Sequence, residues 1–173
     1  DIKKLDSVIE IGGGYGCMAS IFHKINKNIE YTIFDLPEVN LLAYYYLKSQ
    51  NIECSLNNDN PNIKINLLSD IGLVKKKFDM NKDQDKSTLL IANWSLSEMP
   101  IGLRDKLEFL FVNCDYGIIS FQANFEKISN VLYFEKLKKK LVSSHMSNID
   151  NLNEMNIKIS SNKHYTLMIK KLI

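Results

Sequence analysis

An acidic residue and a run of glycines stand near the start of the chain, in the segment Glu10-Ile11-Gly12-Gly13-Gly14-Tyr15-Gly16. Glycines let a backbone approach a ligand closely, and a helix that begins after them presents unpaired N–H groups. A second acid, Asp35, follows the next apolar segment. A carboxylate at the end of a second strand can accept hydrogen bonds from both hydroxyls of a ribose. Together these residues predict a site for an adenosine-containing cofactor, and a tight turn without a ligand is the alternative.

The glycines by themselves fit two classes of cofactor. The dinucleotide pattern GxGxxG or GxGxxA fails from Gly12 onward but succeeds from Gly14, with Gly16 and Ala19 in the required places. Gly14 is separated from the preceding apolar segment by two further glycines, whereas the first glycine of a dinucleotide pattern follows the strand directly. Glu10 would also repel a pyrophosphate nearby. S-adenosylmethionine has a positive sulfur and amino group and no phosphate, so the same acid attracts it. The residues favour S-adenosylmethionine and leave a nicotinamide or flavin dinucleotide as the alternative.

Side chains that could meet a cofactor or an acceptor substrate follow two later apolar segments: Asn93, Trp94, Ser95, Ser97 and Glu98 after the first, Gln122 and Asn124 after the second. We expect Asn93 and Trp94 to contact the cofactor and the other polar groups to contact the acceptor. Of these groups Glu98 is the natural proton acceptor, and we predict that it serves as the base. A helix cap is an equally good interpretation of Ser97 and Glu98, and an ordinary polar loop is the alternative for Gln122 and Asn124.

The histidines predict neither a base nor a metal site. His23 falls within the first predicted helix, and His145 ends a long one. His164 lies in a final hairpin, and neither it nor His145 stands at the carboxyl end of a predicted strand. No cluster of His, Asp or Glu has the spacing of metal ligands, so we predict no metal.

The three cysteines, Cys17, Cys54 and Cys114, are scattered along the chain. An odd number without a CxxC motif is typical of a reduced, intracellular protein. No apolar stretch approaches the ~18 residues of a membrane span, and the first residues do not resemble a signal peptide. We therefore predict a cytoplasmic protein without a membrane span.

The elements that must position these residues alternate along the chain. Apolar segments predict strands at 5–11, 31–35, 63–68, 87–93 and 116–121, and two more at 157–160 and 165–170 that form a hairpin. Periodic apolar residues and caps predict helices at 15–27, 37–49, 70–78, 103–111 and 130–145. This order predicts an α/β, doubly wound, Rossmann-like fold with a mostly parallel, seven-stranded sheet and a C-terminal antiparallel hairpin. Ligands of such sheets bind at the carboxyl ends of the strands.

Composition and charge limit the partners. The chain has 173 residues, 45% of them hydrophobic and 24% charged, which excludes a disordered or fibrous protein. The formal net charge is only +2, and Arg104 is the single arginine, so we predict no nucleic-acid partner. The predicted elements use nearly the whole length. We therefore expect one domain over residues 1–173, a cofactor-binding core that could be a fragment of a longer chain, in an oligomeric state that the sequence does not specify.

Three segments resemble those of a known family. The segment from Glu10 to Gly16 resembles the first motif of class I S-adenosylmethionine-dependent methyltransferases. Phe34-Asp35-Leu36-Pro37-Glu38-Val39 is similar to the segment after the second strand of many O-methyltransferases, and Asn93-Trp94-Ser95-Leu96-Ser97-Glu98-Met99 resembles the fourth-strand sequence of sugar O-methyltransferases. The resemblance extends from residue 5 to about residue 125. It implies transfer of a methyl group from S-adenosylmethionine to a hydroxyl of a small-molecule or carbohydrate acceptor, such as a polysaccharide precursor.

The resemblance also implies roles for single residues. Around the cofactor, Glu10, Gly12, Gly14 and Gly16 would surround the methionine part, Asp35 would hold the ribose, Leu36 would cover the adenine, and Ser69 and Asp70 would meet the adenine amino group. Two other functions stay open at this point. One is an NAD(P)-dependent oxidoreductase or epimerase, and the other is a catalytically inactive cofactor-binding module.

Overall fold

Buried strands and amphipathic helices alternate in the computed structural model, which describes residues 4–57, 62–143, 147–149, 153–155 and 162–171. The chain divides into two units, Asp1–Leu89 and Leu90–Ile173. None of the helices within these described ranges has the length and apolarity needed to cross a membrane.

The first unit contains parallel strands joined by helices. Its elements are β1 (Ser7–Ile11), α1 (Cys17–Ile25), β2 (Glu30–Phe34), α2 (Pro37–Ser49), β3 (Cys54–Leu56), β4 (Ile65–Leu68) and α3 (Ile71–Asp83). The strands lie in the order β1-β2-β4-β3, and each neighbouring pair is parallel. The register pairs Ile11 with Phe34 and Phe34 with Leu68. The carboxyl ends of β1, β2 and β4 therefore meet at one edge.

Local sequence accounts for most of these elements. All five residues of β1 are buried, as expected of a parallel strand with helices on both faces. Pro37 occupies the first turn of α2, where no N–H is needed, and this helix has the predicted bounds. Asp70 caps α3 by accepting the Leu73 N–H at 3.0 Å. The expected strands and helices of this unit are present, with β3 in addition.

The prediction that α3 ends at Phe78 is wrong, because the helix continues to Asp83. Asn81 is buried and donates its Nδ2 hydrogen to Ser7 Oγ at 2.7 Å. Lys77 is also buried, with its Nζ 3.4 Å from Glu30 Oε2. Contacts with distant residues therefore hold the last turns helical.

The second unit begins within a strand and ends in antiparallel strands. Its elements are β5 (Thr88–Asn93), α4 (Ser95–Glu98), α5 (Ile101–Lys106), α6 (Glu108–Asn113), β6 (Tyr116–Gln122), β7 (Asn124–Phe125), β8 (Ile128–Ser129), α7 (Asn130–Ser143), β9 (Ser147–Ile149), β10 (Asn153–Met155) and β11 (His164–Lys171). β6 lies between β5 and β11. β11 is antiparallel to β6, β9 and β10. The small hairpin of β7 and β8 stands apart from this sheet.

The predicted fold class is confirmed, but the strand count of seven is too low. The parallel strands of the first unit and the antiparallel C-terminal strands match the expected α/β, Rossmann-like architecture. β3, β9 and β10 are additional, and each has only three residues, too few for an alternating pattern to be recognised. The strand predicted at 157–160 lies outside the described residues. The helix predicted at 103–111 is two short helices, α5 and α6, that meet at Leu107.

Candidate functional site

The glycine segment after β1 forms a loop that only glycine can adopt without strain. Gly12, Gly14 and Gly16 have φ angles of 72°, 55° and 87°, in the left-handed region. The Gly12 N–H donates to the Phe34 carbonyl at 2.8 Å, and the Gly16 N–H donates to the Gly13 carbonyl at 3.0 Å. These bonds attach the loop to the end of β2 and turn the chain into α1.

One side of this loop is closed and the other is open. A Cβ atom at Gly13 would lie 2.7 Å from Ile33 Cγ2 and 2.9 Å from Glu10 Oε2, which leaves no room for a side chain. A Cβ atom at Gly14 would have no neighbour within 4 Å. The open side at Gly14 is therefore where a ligand can approach the backbone.

Asp35 is bound to this loop through its carboxylate. Oδ2 accepts the Gly14 N–H at 3.0 Å and Oδ1 accepts the Leu36 N–H at 2.8 Å. Burial raises the pKa of Asp35, and the two backbone N–H groups partly oppose this shift. A carboxylate oxygen has two lone pairs, so each oxygen can accept one further hydrogen bond. Asp35 is thus oriented to accept two hydroxyls.

Glu10 is a buried acid with one oxygen unused. It is 4% exposed, and Oε2 accepts the Tyr31 hydroxyl at 2.8 Å. Among the described residues, Oε1 has no hydrogen-bond partner. Burial raises the pKa of Glu10 to about 6, with the Tyr31 hydrogen bond opposing the shift and the charge of Asp35 adding to it. A cationic group beside Oε1 would favour the charged carboxylate.

Sequence reasoning missed Tyr31. The register pairs Glu10 with Ile33, so Tyr31 is the diagonal neighbour of Glu10 on the same face of the sheet. Only the strand register reveals this contact. Burial and the charge of Glu10 raise the pKa of Tyr31, so its hydroxyl keeps its proton and remains a donor.

Asn40 is a second residue that the sequence did not indicate. This side chain of α2 is fully buried, and its Nδ2 donates to the Asp35 carbonyl at 3.2 Å and to Ser69 Oγ at 2.9 Å. It joins the segments that follow β2 and β4. Asp70 is exposed, and one of its carboxylate oxygens is used as the cap of α3. Leu36 is 65% exposed. The predicted cofactor residues of the first unit therefore lie at the carboxyl ends of β1, β2 and β4.

In the second unit, three predicted acceptor residues contact one another. Ser97 Oγ donates to the Trp94 carbonyl at 2.5 Å and lies 3.0 Å from Gln122 Oε1. Gln122 Nε2 donates to Glu98 Oε1 at 3.2 Å. Ser97 and Gln122 are buried, whereas Glu98 is exposed. Neither Ser97 nor Glu98 caps a helix, because α4 and α5 have no side-chain cap hydrogen bond and the Ser97 hydroxyl donates to a carbonyl.

Arg104 supports this cluster, which sequence reasoning did not foresee although it is the only arginine. Its guanidinium is fully buried and donates to the carbonyls of Met99 and Ser97 at 2.7 and 2.6 Å. Nη1 donates to Asn130 Oδ1 at 2.8 Å, and Asn130 Nδ2 donates to the Gln122 carbonyl at 2.9 Å. Burial lowers the pKa of Arg104. One cation thus connects α4, α7 and the end of β6.

The remaining predicted residues have fewer contacts with this cluster. Asn93 and Ser95 are partly buried on either side of Trp94, and Asn124 is exposed, with its carbonyl accepting the Asn162 Nδ2 at 2.9 Å. His145 lies outside the described residues. No group of three or more His, Cys, Asp or Glu within the described ranges could hold a metal ion.

His164 corrects a sequence-based interpretation. It begins β11 and pairs with Gln122 at the end of β6. Because β11 is antiparallel to β6, its first residue lies beside the carboxyl end of that strand. His164 accepts the Trp94 indole N–H on Nδ1 at 2.9 Å. This edge is therefore reached by a residue that begins an antiparallel strand, as well as by residues that follow a parallel one.

Solved methyltransferases have a similar fold. The methyltransferase domain of the bacterial CtHen1-CN matches with a TM-score of 0.66 and 14% identity, over 97% of this chain and 91% of that chain. This chain adopts the Rossmann-like methyltransferase fold. The mitomycin 7-O-methyltransferase MmcR matches with a TM-score of 0.56 and 10% identity over 99% of this chain, which spans only 50% of MmcR. The plantazolicin methyltransferase BpumL matches with a TM-score of 0.56 and 13% identity, over 96% of this chain and 76% of that chain.

The sequence comparisons add no family to this structural likeness. No protein-family model matches the sequence, and no curated protein is significantly similar to it.

Proposed function

We propose that this chain is an S-adenosylmethionine-dependent O-methyltransferase. The observation that carries the proposal is the unused Oε1 of buried Glu10, beside a glycine loop that is open at Gly14 and bound to Asp35. A cationic amine fits the first acid, and a ribose diol fits the second. Because Gly14 has no Cβ atom, a ligand can approach the backbone at this position.

The same features argue against a dinucleotide. A pyrophosphate needs free backbone N–H groups at the glycine loop, but the Gly14 N–H is already bound to the Asp35 carboxylate. Glu10 would add a second negative charge beside the phosphates. The GxGxxA pattern that begins at Gly14 therefore does not provide the positive electrostatic environment that a dinucleotide pyrophosphate requires.

Structures of similar fold support the choice of cofactor. BpumL was solved in complex with S-adenosylhomocysteine (SAH), and PigF, which matches with a TM-score of 0.56, was solved with SAH. In the proposed complex, Glu10 and the glycines hold the methionine part, Asp35 holds the ribose, and Leu36, Ser69 and Asp70 surround the adenine. Asn93 and Trp94 are proposed to contact the cofactor as well.

Bound S-adenosylmethionine would supply a methyl group on a cationic sulfur, with the sulfur as the leaving group for transfer to an acceptor oxygen. The chain has to orient the acceptor hydroxyl and remove its proton. We propose that Glu98 accepts this proton, since its carboxylate is exposed and is oriented by the Gln122 amide.

The acceptor is proposed to be a sugar hydroxyl, reached in the cytoplasm. Hydroxyl and amide groups, the types that bind carbohydrate hydroxyls, predominate among the residues proposed to contact it, namely Ser95, Ser97, Gln122 and Asn124. MmcR is named for O-methylation, which agrees with transfer to oxygen. A balanced formal charge of +2 suits an uncharged acceptor better than a phosphate-rich one.

Calorimetric titration of the purified chain with SAH and with NAD tests the cofactor. We expect SAH to bind and NAD not to bind, and Asp35→Asn to weaken SAH binding by about tenfold through loss of charged hydrogen bonds. Binding of NAD alone would overturn the proposal in favour of the oxidoreductase or epimerase. Binding of SAH without methylation of any acceptor would favour the inactive module.

A methylation assay tests the acceptor and the base. Radiolabelled S-adenosylmethionine is incubated with free hexoses, 6-deoxyhexoses and nucleotide-activated sugars. We expect Glu98→Gln to lower kcat by roughly 100-fold, the usual contribution of a general base, without changing the Kd for SAH. Unchanged turnover in this variant would remove Glu98 from the proton transfer.

A further inference from the structure

Trp94 has a backbone conformation that is unfavourable for its residue type. Its φ and ψ angles are 61° and −31°, whereas a bulky residue rarely adopts a positive φ. The conformation is held by the Trp94 N–H, which donates to the Ser120 carbonyl at 2.7 Å, and by the Ser97 hydroxyl on the Trp94 carbonyl. Such strain persists where the surrounding contacts impose it, and it is common at functional sites.

In this backbone conformation, the side chain of Trp94 forms a hydrogen bond with His164. The indole Nε1 donates to Nδ1 of His164 at 2.9 Å, with the two rings in an edge-to-face arrangement. An indole N–H can only donate, so Nδ1 must be the acceptor. A neutral imidazole then carries its hydrogen on Nε2. Trp94 therefore selects one tautomer of His164.

The Nε2 atom of His164 has no acceptor. It is buried, and no described residue accepts a hydrogen bond from it. An unsatisfied buried donor destabilises the folded state, because it has lost its hydrogen bonds to water. His164 pairs with Gln122 in the register of β6 and β11, and Gln122 contacts Glu98. The unsatisfied donor thus belongs to the edge of the second unit where the acceptor is proposed to bind.

We propose that His164 recognises the acceptor substrate by donating its Nε2 hydrogen to a substrate oxygen, and that Trp94 positions it for this role. The oxygen is one that does not react, such as a ring oxygen or a carbonyl beside the methylated hydroxyl. A substrate oxygen that reaches Nε2 must displace the groups that bury this atom. The hydrogen bond formed with Nε2 offsets the free energy of that displacement. The inference rests on the proposed function.

This role differs from that of a base. In the Trp94-bound tautomer, the lone pair of Nδ1 is occupied and Nε2 already carries a hydrogen. His164 therefore offers a donor and no free lone pair. It selects acceptors that have a suitable oxygen, and Glu98 keeps the proposed proton transfer.

The tautomer can be measured by long-range ¹H–¹⁵N NMR of the labelled full chain. The chain has three histidines, so the signals of His164 are assigned from those that disappear in His164→Asn. We expect the Nε2–H tautomer in the native chain and a mixture of tautomers in Trp94→Phe, which lacks the indole donor. An Nδ1–H tautomer in the native chain would overturn the proposal. This result does not depend on methyl transfer.

Two substitutions separate recognition from a merely structural role. Gln places an amide N–H near the position of Nε2, whereas Asn places it near Nδ1. With the sugar of the panel that turns over fastest, we expect His164→Asn to raise KM about five- to tenfold, the effect of one neutral hydrogen bond, and His164→Gln to restore most of it. kcat and the Kd for SAH should stay close to native in both, and His23→Asn is the matched control.

Equal losses in the Gln and Asn variants, or a fall in kcat without a change in KM, would contradict the inference. Absence of SAH binding in the native chain would instead contradict the proposed function. The two failures are distinguishable because the calorimetric titration, unlike the KM comparison, needs no acceptor.

Discussion

At the scale of single residues, Glu10 has an unusual environment for a carboxylate. It is 4% exposed, has one hydroxyl donor on Oε2 and has a pKa of about 6. In the free protein, burial therefore disfavours its charge, whereas a bound cation would favour it. The residue that we propose attracts the cofactor is also a residue whose burial costs stability.

The affinity for S-adenosylmethionine should depend on pH through Glu10. Below pH 6 the carboxyl is protonated and no longer attracts the cation, so we expect binding about tenfold weaker at pH 5 than at pH 7. Calorimetric titrations across this range measure the effect. Glu10→Gln should bind weakly and without this dependence, and an equally steep curve in that variant would assign the titration to another group.

Folding stability should show the opposite trend. A native pKa raised from 4.5 to about 6 means that the folded chain binds the proton more tightly than the unfolded chain. The contribution of Glu10 to stability is therefore complete below pH 4.5 and is lost as the pH rises through 6. At pH 7.5 we expect Glu10→Gln to have a free energy of unfolding about 2 kcal/mol higher than native. Urea unfolding should show this difference disappearing near pH 4.5, and a constant difference would contradict it.

At the scale of elements, the loop between β1 and α1 separates packing from ligand access at neighbouring positions. Gly13 faces Ile33 and Glu10, and Gly14 faces open space. The two glycines therefore form a matched pair. The packing of the unit requires the absence of a side chain at Gly13, and we propose that a ligand requires it at Gly14.

Alanine substitutions should separate these two requirements. We expect Gly13→Ala to lower the free energy of unfolding by about 1–3 kcal/mol, because its Cβ atom would overlap Ile33. Gly14→Ala should cost only about 1 kcal/mol, from its positive φ, but should weaken SAH binding more strongly than that. Urea unfolding and calorimetry on both variants give the comparison. Equal effects of the two on stability and on binding would contradict it.

Arg104 connects helices in the second unit through three acceptors, two carbonyls at the end of α4 and the Asn130 side chain at the start of α7. Both Arg104→Lys and Arg104→Met should lower the free energy of unfolding by about 3 kcal/mol, because a single ammonium cannot reach all three acceptors and Met reaches none. Lys139→Met removes an exposed cation and should change stability by less than about 0.5 kcal/mol. If Arg104→Lys is as stable as native, a positive charge at this position is enough for stability and the several N–H donors of the guanidinium are not needed.

At the scale of the whole molecule, the boundary between the units falls inside β5, a strand whose first five residues are buried. Independent domains are usually separated by an exposed linker, and a buried strand is not one. We therefore propose that residues 1–173 fold as a single domain.

Unfolding of the full chain should accordingly be one cooperative transition. Trp94 is the only tryptophan, so its fluorescence reports on the second unit alone. Loss of SAH binding reports on the first unit, and far-ultraviolet circular dichroism reports on both. We expect the fluorescence and dichroism midpoints in urea to coincide without ligand, and to move together when SAH is added. Separate midpoints would indicate two domains.

The sequence by itself determined the elements and residues that depend on near neighbours in the chain. The glycines after β1 and the start of α2 at Pro37 follow from backbone preferences of those residue types. Asp35 was predicted at a strand end, and the structure has it there. Such features could be predicted because their causes lie within a few residues.

Only the tertiary structure decided which distant side chains meet. Tyr31 on Glu10 depends on strand register, and Arg104 beneath Ser97 depends on helix packing. His164 lies 70 residues from Trp94, and the antiparallel direction of β11 places it at the end of β6. A hydrogen bond between residues so far apart leaves no periodic or local signal in the sequence. The hydrogen bond between Trp94 and His164 forms because β11 aligns with β6. It leaves the hydrogen of His164 on Nε2, the donor that we propose recognises the acceptor.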